Sequence, residues 1–150
     1  MKTALMVAAC IVGGLLLLFV ILKSVFGLVR RRLLKRMRER FEPDAILRWS
    51  VNANFFGLES KGGKQIRGNA ALVLTNDQLW SCLGAPLREV SLPISDIVGV
   101  SLVKSHCGKS VFLDLLRVEF IVKDGRDAGG WFVRDAAAWK HDIEELLGQR

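Results

Sequence analysis

The chain has 150 residues, with 22 Lys and Arg against 15 Asp and Glu, and its formal charge is +7. All of the excess positive charge precedes residue 43, because residues 43–150 contain thirteen basic and thirteen acidic side chains. A neutral domain disfavours nucleic acid as a partner, since nucleic-acid-binding domains usually carry a basic face. Residues 43–150 are long enough for one domain with its own core and too short for two.

The first predicted element is a transmembrane helix over Thr3–Leu22, within an anchor of residues 1–29. This stretch contains no charge and no proline, and a helix of its length spans about 30 Å, the thickness of a bilayer's hydrocarbon core. A cleaved signal peptide is the alternative, but the stretch exceeds the usual signal core and residues 23–40 offer no small-residue cleavage site. Cations follow the helix in larger number than they precede it. This predicts a single-pass protein of the inner (cytoplasmic) membrane, with its N-terminus outside and its C-terminal domain cytosolic.

A basic amphipathic helix is predicted for residues 30–42. Apolar side chains recur in it at spacings of three to four, which is typical of a helix lying along a membrane surface. Anionic lipid headgroups are the partner that such a segment would bind. The cations that would contact them are Arg30, Arg31, Arg32, Lys35, Arg36, Arg38 and Arg40. The alternative is that these charges only set the topology.

Period-two alternation predicts extended strands in the remaining chain. The clearest strand runs from Leu47 to Phe55, with one apolar and one polar face. Further strands are predicted at Ala70–Thr75, Leu79–Leu83, Val90–Leu92, Val98–Leu102, Leu116–Val122 and Trp131–Val133. An amphipathic helix follows, with Asp135 as its N-cap and Gly148 as its stop. These elements predict a mainly-β domain over residues 43–150, in which about seven antiparallel strands form a closed or nearly closed barrel capped by the C-terminal helix.

Three stretches of this domain carry a resemblance to a known family. Gly68–Leu79 contains a strand that ends in a threonine-containing turn, Val90–Ile97 contains a proline followed by Ile94-Ser95-Asp96-Ile97, and Leu115–Phe120 is a further strand. Together with Trp139 on the closing helix, they make residues 46–147 resemble the pleckstrin-homology-like superfold, in its GRAM or bacterial PH-like form.

The resemblance implies a phosphoinositide pocket at the loop between the first two strands. The residues at that loop are Lys61, Lys64 and Arg67. The family's basic-x-basic step is absent here, because Gln65 and Ile66 separate Lys64 from Arg67. Two interpretations of the loop therefore stay open: simple solvation of a hairpin tip, or an expected flexibility that lets a cationic loop contact phosphates without selecting a headgroup.

No catalytic, cofactor or metal motif is found in the sequence. The Gly-Lys pairs at 63–64 and 108–109 lack the upstream glycine of a phosphate-binding loop. His106 and Cys107 are adjacent, but neighbouring side chains on an extended chain point to opposite faces. An enzyme would require His106, Cys107, Asp114 or Asp127 to converge in one cleft. No cofactor is therefore expected.

The sequence favours a non-enzymatic, membrane-tethered binding module whose domain presents a protein- or lipid-binding surface at the cytoplasmic leaflet. Phe55 and Phe56 are candidate aromatic contacts of which one is exposed, because two successive strand residues cannot both face the same core; the alternative is that Phe56 covers an edge of the barrel. A protein partner is expected but not identified, and the oligomeric state stays open. The alternative function is a small membrane-anchored enzyme. Abundant Ala, Arg and Gly without tyrosine fit a GC-rich bacterial genome.

Overall fold

A computed structural model describes the backbone of residues 2–149 and the side chains of Met6 and residues 11–149. A long helix, α1 (Lys2–Arg40), precedes seven strands, and a second helix, α2 (Ala136–Gly148), follows them. The strands are β1 (Ile46–Leu58), β2 (Gly68–Thr75), β3 (Gln78–Gly84), β4 (Leu87–Pro93), β5 (Ile97–His106), β6 (Lys109–Val122) and β7 (Gly125–Phe132). The predicted succession of an apolar helix, seven antiparallel strands and a C-terminal helix is confirmed. Met1 of the predicted anchor lies outside the described residues.

The strands form one sheet in the order β4-β3-β2-β1-β7-β6-β5, and this sheet is open. The prediction of a closed or nearly closed barrel is therefore wrong. β4 and β5 are the two edges, and they are joined in the chain by one short helical turn instead of by hydrogen bonds. Apolar side chains fill the opening. They form a buried cluster that includes Leu92, Ile94, Ile97, Trp139 and Ile143.

β1 lies at the centre of the sheet and changes partners along its length. Its first half pairs only with β2, whereas its second half also pairs with β7. A register shift between Ser50 and Ala53 interrupts the β1–β2 ladder. The predicted single apolar face is consequently divided, with Val51 buried on the outer side of the sheet and Phe55 buried in the inner core. Trp49, which belonged to the same predicted face, is 49% exposed.

The C-terminal turns of α1 form a second layer on the outer face of the sheet. Leu33, Met37 and Phe41 are each no more than 9% exposed. They share a buried cluster with Val51, Ala71, Val73, Trp80 and Cys82. β2 and β3 are therefore covered on both faces, and this explains why residues 70–75 and 79–83 are nearly continuous apolar runs instead of alternating ones.

α1 is one continuous helix, so the predicted anchor and the predicted basic helix are parts of a single rod. Its section from Ile11 contains a window of mean hydropathy 2.5 that is not buried in the protein, and this makes the helix apolar enough to cross a membrane. The expectation that the basic segment rests its apolar side on a membrane surface needs correction. Leu33 and Met37 contact the sheet, because β2 and β3 present an apolar outer face that must be covered.

α2 packs on β5 and β6 and is tied to β1. Arg48 of β1 forms an ion pair with Asp142 and lies over the Trp139 ring, 5.9 Å from its centroid. Asp135 is the N-cap residue, as predicted, but it adopts a left-handed conformation with φ of 58° and its side chain makes no capping bond. Its carbonyl oxygen instead accepts the N–H groups of Ala138 and Trp139. The helix includes Gly148 as its last residue.

Deletion of residues 1–42 is expected to destabilise the domain, because it uncovers the outer face of β2 and β3. A chain that begins at residue 43 should aggregate or unfold at a markedly lower temperature than one that begins at residue 28 and keeps the docked turns. Thermal unfolding by circular dichroism and size-exclusion chromatography would compare the two chains. Equal stability and a monomeric state for both would contradict an integral role for α1.

Candidate membrane-facing surface

A close approach at Gly84 fixes how α1 lies on the sheet. A Cβ atom at this position would overlap Val29 Cγ1 and would lie 3.5 Å from Leu33 Cδ1. Further along α1, the ring of Phe41 meets the ring of Trp80 edge-on, with 5.4 Å between centroids. Val29 thus lies at the end of β3 and Phe41 lies near its start. α1 therefore runs in the direction opposite to β3.

This packing determines which end of the sheet points toward the apolar half of α1. β3 ends there and β2 begins there, so the β3–β4 turn and the β1–β2 loop (residues 59–67) both lie at that end. The β2–β3 turn at Asn76 and Asp77 lies at the opposite end. Val29 follows Lys23, the first charge after the predicted span, by about 9 Å along the helix. The β1–β2 loop and the β3–β4 turn are thus turned toward the apolar segment.

The seven cations of α1 that were predicted to contact lipid divide into two groups. Arg36 Nε lies 2.6 Å and Arg40 Nη1 lies 3.2 Å from the carboxylate of Glu89 on β4. Lys35 lies 3.7 Å from Glu39 on the same helix. The side chains of the other four are exposed and make no hydrogen bond or ion pair within residues 11–149; they are Arg30, Arg31, Arg32 and Arg38.

Glu89 is the acidic residue that receives the docked end of α1. Its burial raises its pKa, but hydrogen bonds from Arg36 and from Trp80 Nε1, together with the charge of Arg40, bring the pKa of Glu89 below its usual range. Glu89 is therefore ionised at neutral pH. Partly exposed ion pairs add little stability, so we assign the docking energy mainly to the apolar cluster and the orientation of the helix to these pairs.

The β1–β2 loop carries the three cations that the resemblance singled out. Lys61 and Lys64 are exposed and form no ion pair in the described part of the chain. Arg67 is half-buried, and its Nη2 donates a hydrogen bond of 3.0 Å to the carbonyl of Cys107 in the β5–β6 turn. Gln65 braces the loop, because its side-chain amide both donates to and accepts from the main chain at the end of β1. The loop is therefore braced, contrary to the expectation of flexibility.

The two predicted aromatic contacts have different environments. Phe55 is buried in the inner core, with its ring 5.5 Å from that of Trp131. It is therefore not an exposed aromatic contact. Phe56 is half-buried and lines a cavity. The fully exposed aromatic residue is Phe112, next to Leu113, which is 58% exposed. Sequence analysis missed this pair because it lies on a large irregular bulge of β6, where residues 111–114 oppose a single residue of β5.

A polar network that sequence analysis did not find ties the β1–β2 loop to β5, β6 and β7. Arg117 donates two hydrogen bonds to Glu59, at 2.9 and 3.1 Å. Asp127 accepts the N–H of Ser60 at 2.9 Å and its hydroxyl at 2.6 Å. His106 is 3% exposed, and its Nε2 donates to a carbonyl of β1 at 3.0 Å. These residues are far apart in the chain, and no local pattern signals their convergence.

Burial and pairing set the protonation of this network. Burial lowers the pKa of His106, and its Nδ1 has no hydrogen-bond partner and lies 3.7 Å from Glu59 Oε1. The hydrogen bonds from Arg117 lower the pKa of Glu59. Burial raises the pKa of Asp127, but the two bonds from Ser60 and one from the main chain outweigh it and bring that pKa below its usual range. The native network thus combines a neutral imidazole with two carboxylates.

The residues that an enzyme would have to bring together are only partly adjacent. His106 and Cys107 lie near Asp127, whereas Asp114 forms a 2.8 Å ion pair with Lys104. Burial raises the pKa of the Cys107 thiol, which disfavours the reactive thiolate. Within the described residues, no group of three or more His, Cys, Asp or Glu side chains is placed to hold a metal ion. Absence of enzymatic activity stays a prediction.

Comparison with known protein families and with curated proteins finds no match for this chain. The apolar N-terminal helix, the seven-stranded antiparallel sheet and the C-terminal helix are compatible with a pleckstrin-homology-like fold. The narrower GRAM or bacterial PH-like assignment rests on the resemblance of the sequence alone.

Gly84→Ala is expected to loosen the docked turns of α1, because the added Cβ would overlap Val29. Cys82 lies fully buried beneath α1, and burial raises the pKa of its thiol to about 11, so a maleimide should alkylate it slowly. With the other two cysteines replaced by serine, the variant should react several-fold faster. Gly99→Ala is the matched control, since its Cβ would meet only Glu119, at 3.9 Å. An unchanged rate in Gly84→Ala would refute the close approach.

The stability of the domain is expected to fall as the pH is lowered from 7 to 5, because of His106. Its folded pKa is lowered, whereas the unfolded chain has the ordinary value of about 6.5. The unfolded state therefore binds the proton more readily below that pH, and the free energy of unfolding decreases by at most about 1.4 kcal/mol per pH unit. Glu59 and Asp127, whose pKa values are lowered, add their own loss only under more acidic conditions.

The matched variant for this prediction is His106→Asn, which removes the titrating group. Its thermal midpoint, followed by circular dichroism, should depend less on pH between 7 and 5 than that of the unaltered chain, even if its stability at pH 7 is lower. Parallel pH profiles for the two chains would show that His106 does not titrate in this window.

Proposed function

We propose that the protein is a single-pass, membrane-anchored, non-enzymatic binding module that holds a PH-like domain at the cytoplasmic leaflet in a fixed orientation. The observation that carries the proposal is the burial of Leu33, Met37 and Phe41 against the outer face of the sheet. The apolar part of α1 continues into these turns without a break. The domain is thus attached to its anchor by packing and has no flexible linker at this point.

The distribution of charge supports the cytoplasmic side. Four cations of α1 without protein partners, Arg30, Arg31, Arg32 and Arg38, follow the apolar segment, and cations near a membrane end are retained in the cytoplasm. Each cation close to an anionic leaflet contributes about 1 kcal/mol of attraction. Lys61 and Lys64 on the β1–β2 loop add to this surface, because the docking of α1 turns their loop toward the apolar segment.

A protein partner is the second part of the proposal. Residues 43–150 carry no net charge. Electrostatic attraction to anionic lipid therefore comes mainly from α1, and the surface of the domain is available to bind a protein partner. A cleft of about 880 Å³ lies between β1, the end of β7 and the start of α2. Trp49 and Leu113 border it and are 49% and 58% exposed. Exposed aromatic and aliphatic side chains beside a cleft suit the core of a protein interface.

The fixed orientation can be tested with fluorophores on the full-length chain in bilayer nanodiscs. A cysteine-free background would carry one label, either at Lys64→Cys in the β1–β2 loop or at Asn76→Cys at the opposite end of the sheet. Lipids with a nitroxide on the headgroup should quench the label at position 64 more strongly than the one at position 76. Gly84→Ala should reduce this difference, because it loosens the docking.

Equal quenching at the two positions would contradict a domain held in one orientation. Repeating the measurement with and without anionic lipid separates the contribution of α1 packing from that of the attraction between the cations and the headgroups. A difference that persists in zwitterionic lipid is expected, because packing on α1 and not headgroup charge sets the orientation.

A further inference from the structure

A cavity of about 380 Å³ lies beside β1, β6 and β7, and Gly68 at the start of β2 also lines it. It is therefore at the same end of the sheet as the β1–β2 loop. Its walls are mainly apolar; the apolar lining residues are Phe55, Phe56, Val111, Leu113 and Phe132. The volume falls within the range of about 300 to 1,000 Å³ that is usual for small-molecule pockets. No described residue of α1 lines the cavity.

The charged residues that line the cavity are both basic. They are Arg67, from the β1–β2 loop, and Lys109, from the start of β6. No acidic side chain lines it. Cations that border an apolar chamber complement an anionic group attached to an apolar body, because the chamber accepts the body and the cations pair with the charge.

Arg67 contributes a fixed positive charge to this site. Its Nη2 is occupied by the Cys107 carbonyl at 3.0 Å, which fixes the guanidinium group in place. Its Nε has no hydrogen-bond partner among the described residues, but it is enclosed by protein atoms. An anion in the cavity would therefore pair with the charge of Arg67 and not directly with Nε.

Exposed apolar side chains adjoin the residues that line the cavity. Phe112 is fully exposed and lies between the lining residues Val111 and Leu113. Ile66, which precedes Arg67, is 49% exposed. Because this end of the sheet is turned toward the apolar half of α1, these side chains can reach the interface in which amphiphiles reside.

We infer that the cavity binds a single-chain anionic amphiphile taken from the leaflet in which the protein is anchored. The carboxylate or phosphate of the amphiphile pairs with Arg67 and Lys109, and its chain lies between the rings of Phe56 and Phe132. The cavity thus selects ligands that carry a negative charge and a single apolar chain. The inference rests on the proposed function in one respect, because the anchor brings the cavity to the leaflet.

Photo-crosslinking of the full-length protein in phosphatidylcholine nanodiscs tests this inference. The probe is a dodecanoate that carries a diazirine on its chain, and the labelled residues are located by mass spectrometry. Labels should concentrate on the peptides that contain Phe56 and Phe132. Unlabelled dodecanoate and dodecyl phosphate should both compete, whereas dodecyltrimethylammonium should not; the relative strength of the two anions identifies the preferred headgroup.

Replacement of both cations, Arg67→Gln with Lys109→Gln, should reduce labelling of the cavity about tenfold, as expected for the loss of a charge-assisted hydrogen bond. Lys61→Gln with Lys64→Gln is the matched control, because these cations lie at the same end of the sheet but do not line the cavity. Slow alkylation of Cys82 in both double variants would verify that they are folded and docked.

The inference would be overturned by labels confined to α1, by undiminished labelling after loss of Arg67 and Lys109, or by competition from the cationic amphiphile equal to that from the anions. Displacement of the probe by an acidic peptide and not by dodecanoate would assign the cavity to a protein partner and would also overturn it. The quenching experiment on positions 64 and 76 is independent of the probe. A result that refutes amphiphile binding in the cavity can therefore be distinguished from one that refutes the fixed orientation of the domain.

Discussion

Apolar packing between the last turns of α1 and the outer face of β2 and β3 is the constraint on which the rest of the structure depends. Burial of one large apolar side chain stabilises by roughly 1.5 to 3 kcal/mol, and Leu33, Met37 and Phe41 are all buried there. The ion pairs from Arg36 and Arg40 to Glu89 lie at the edge of this contact. Apolar packing therefore holds α1 on the sheet, and the ion pairs to Glu89 orient α1 relative to the strands.

Two helices complete a sheet that does not close on itself. α1 covers the outer face of the strands β1 to β3, and α2 fills the opening between the edge strands β4 and β5. The end of the sheet turned toward the apolar half of α1 is stiffened separately, by Gln65 within the β1–β2 loop and by the network around Glu59, His106 and Asp127. The surface proposed for membrane contact is thus held by hydrogen bonds, and this favours a defined pocket over a mobile charged loop.

The sequence predicted the succession of elements well, because hydrophobic periodicity is a local property. Alternation at residues 47–55 and three- to four-residue spacing at residues 136–147 located β1 and α2, whereas β6 and β7 begin seven and six residues before their predicted starts. The continuous apolar runs at residues 70–75 and 79–83 contained a further signal, since a strand without alternation is covered on both faces. Combined with the apolar stripe of residues 29–41, they could have predicted that α1 packs on the sheet.

The remaining features depend on contacts between distant parts of the chain. The register shift after Ser50 moves Val51 to the outer face, and nothing in the alternating pattern indicates it. The bulge that exposes Phe112 is equally hidden, because it is a property of the pairing: residues 111–114 of β6 face a single residue of β5. The sequence shows His106 only as a neighbour of Cys107, yet it is buried and its Nε2 bonds a carbonyl of β1 that is 49 positions away.

The contact between Val29 and Gly84 has a geometric consequence for the apolar half of α1. Because an α-helix turns by about 100° per residue, a docked helix has a fixed rotational phase, and this phase continues through Lys23 into the apolar span. Each face of the span is therefore matched to one side of the domain. Any other helix that binds one face of this segment therefore also determines the direction in which the domain's cavity faces.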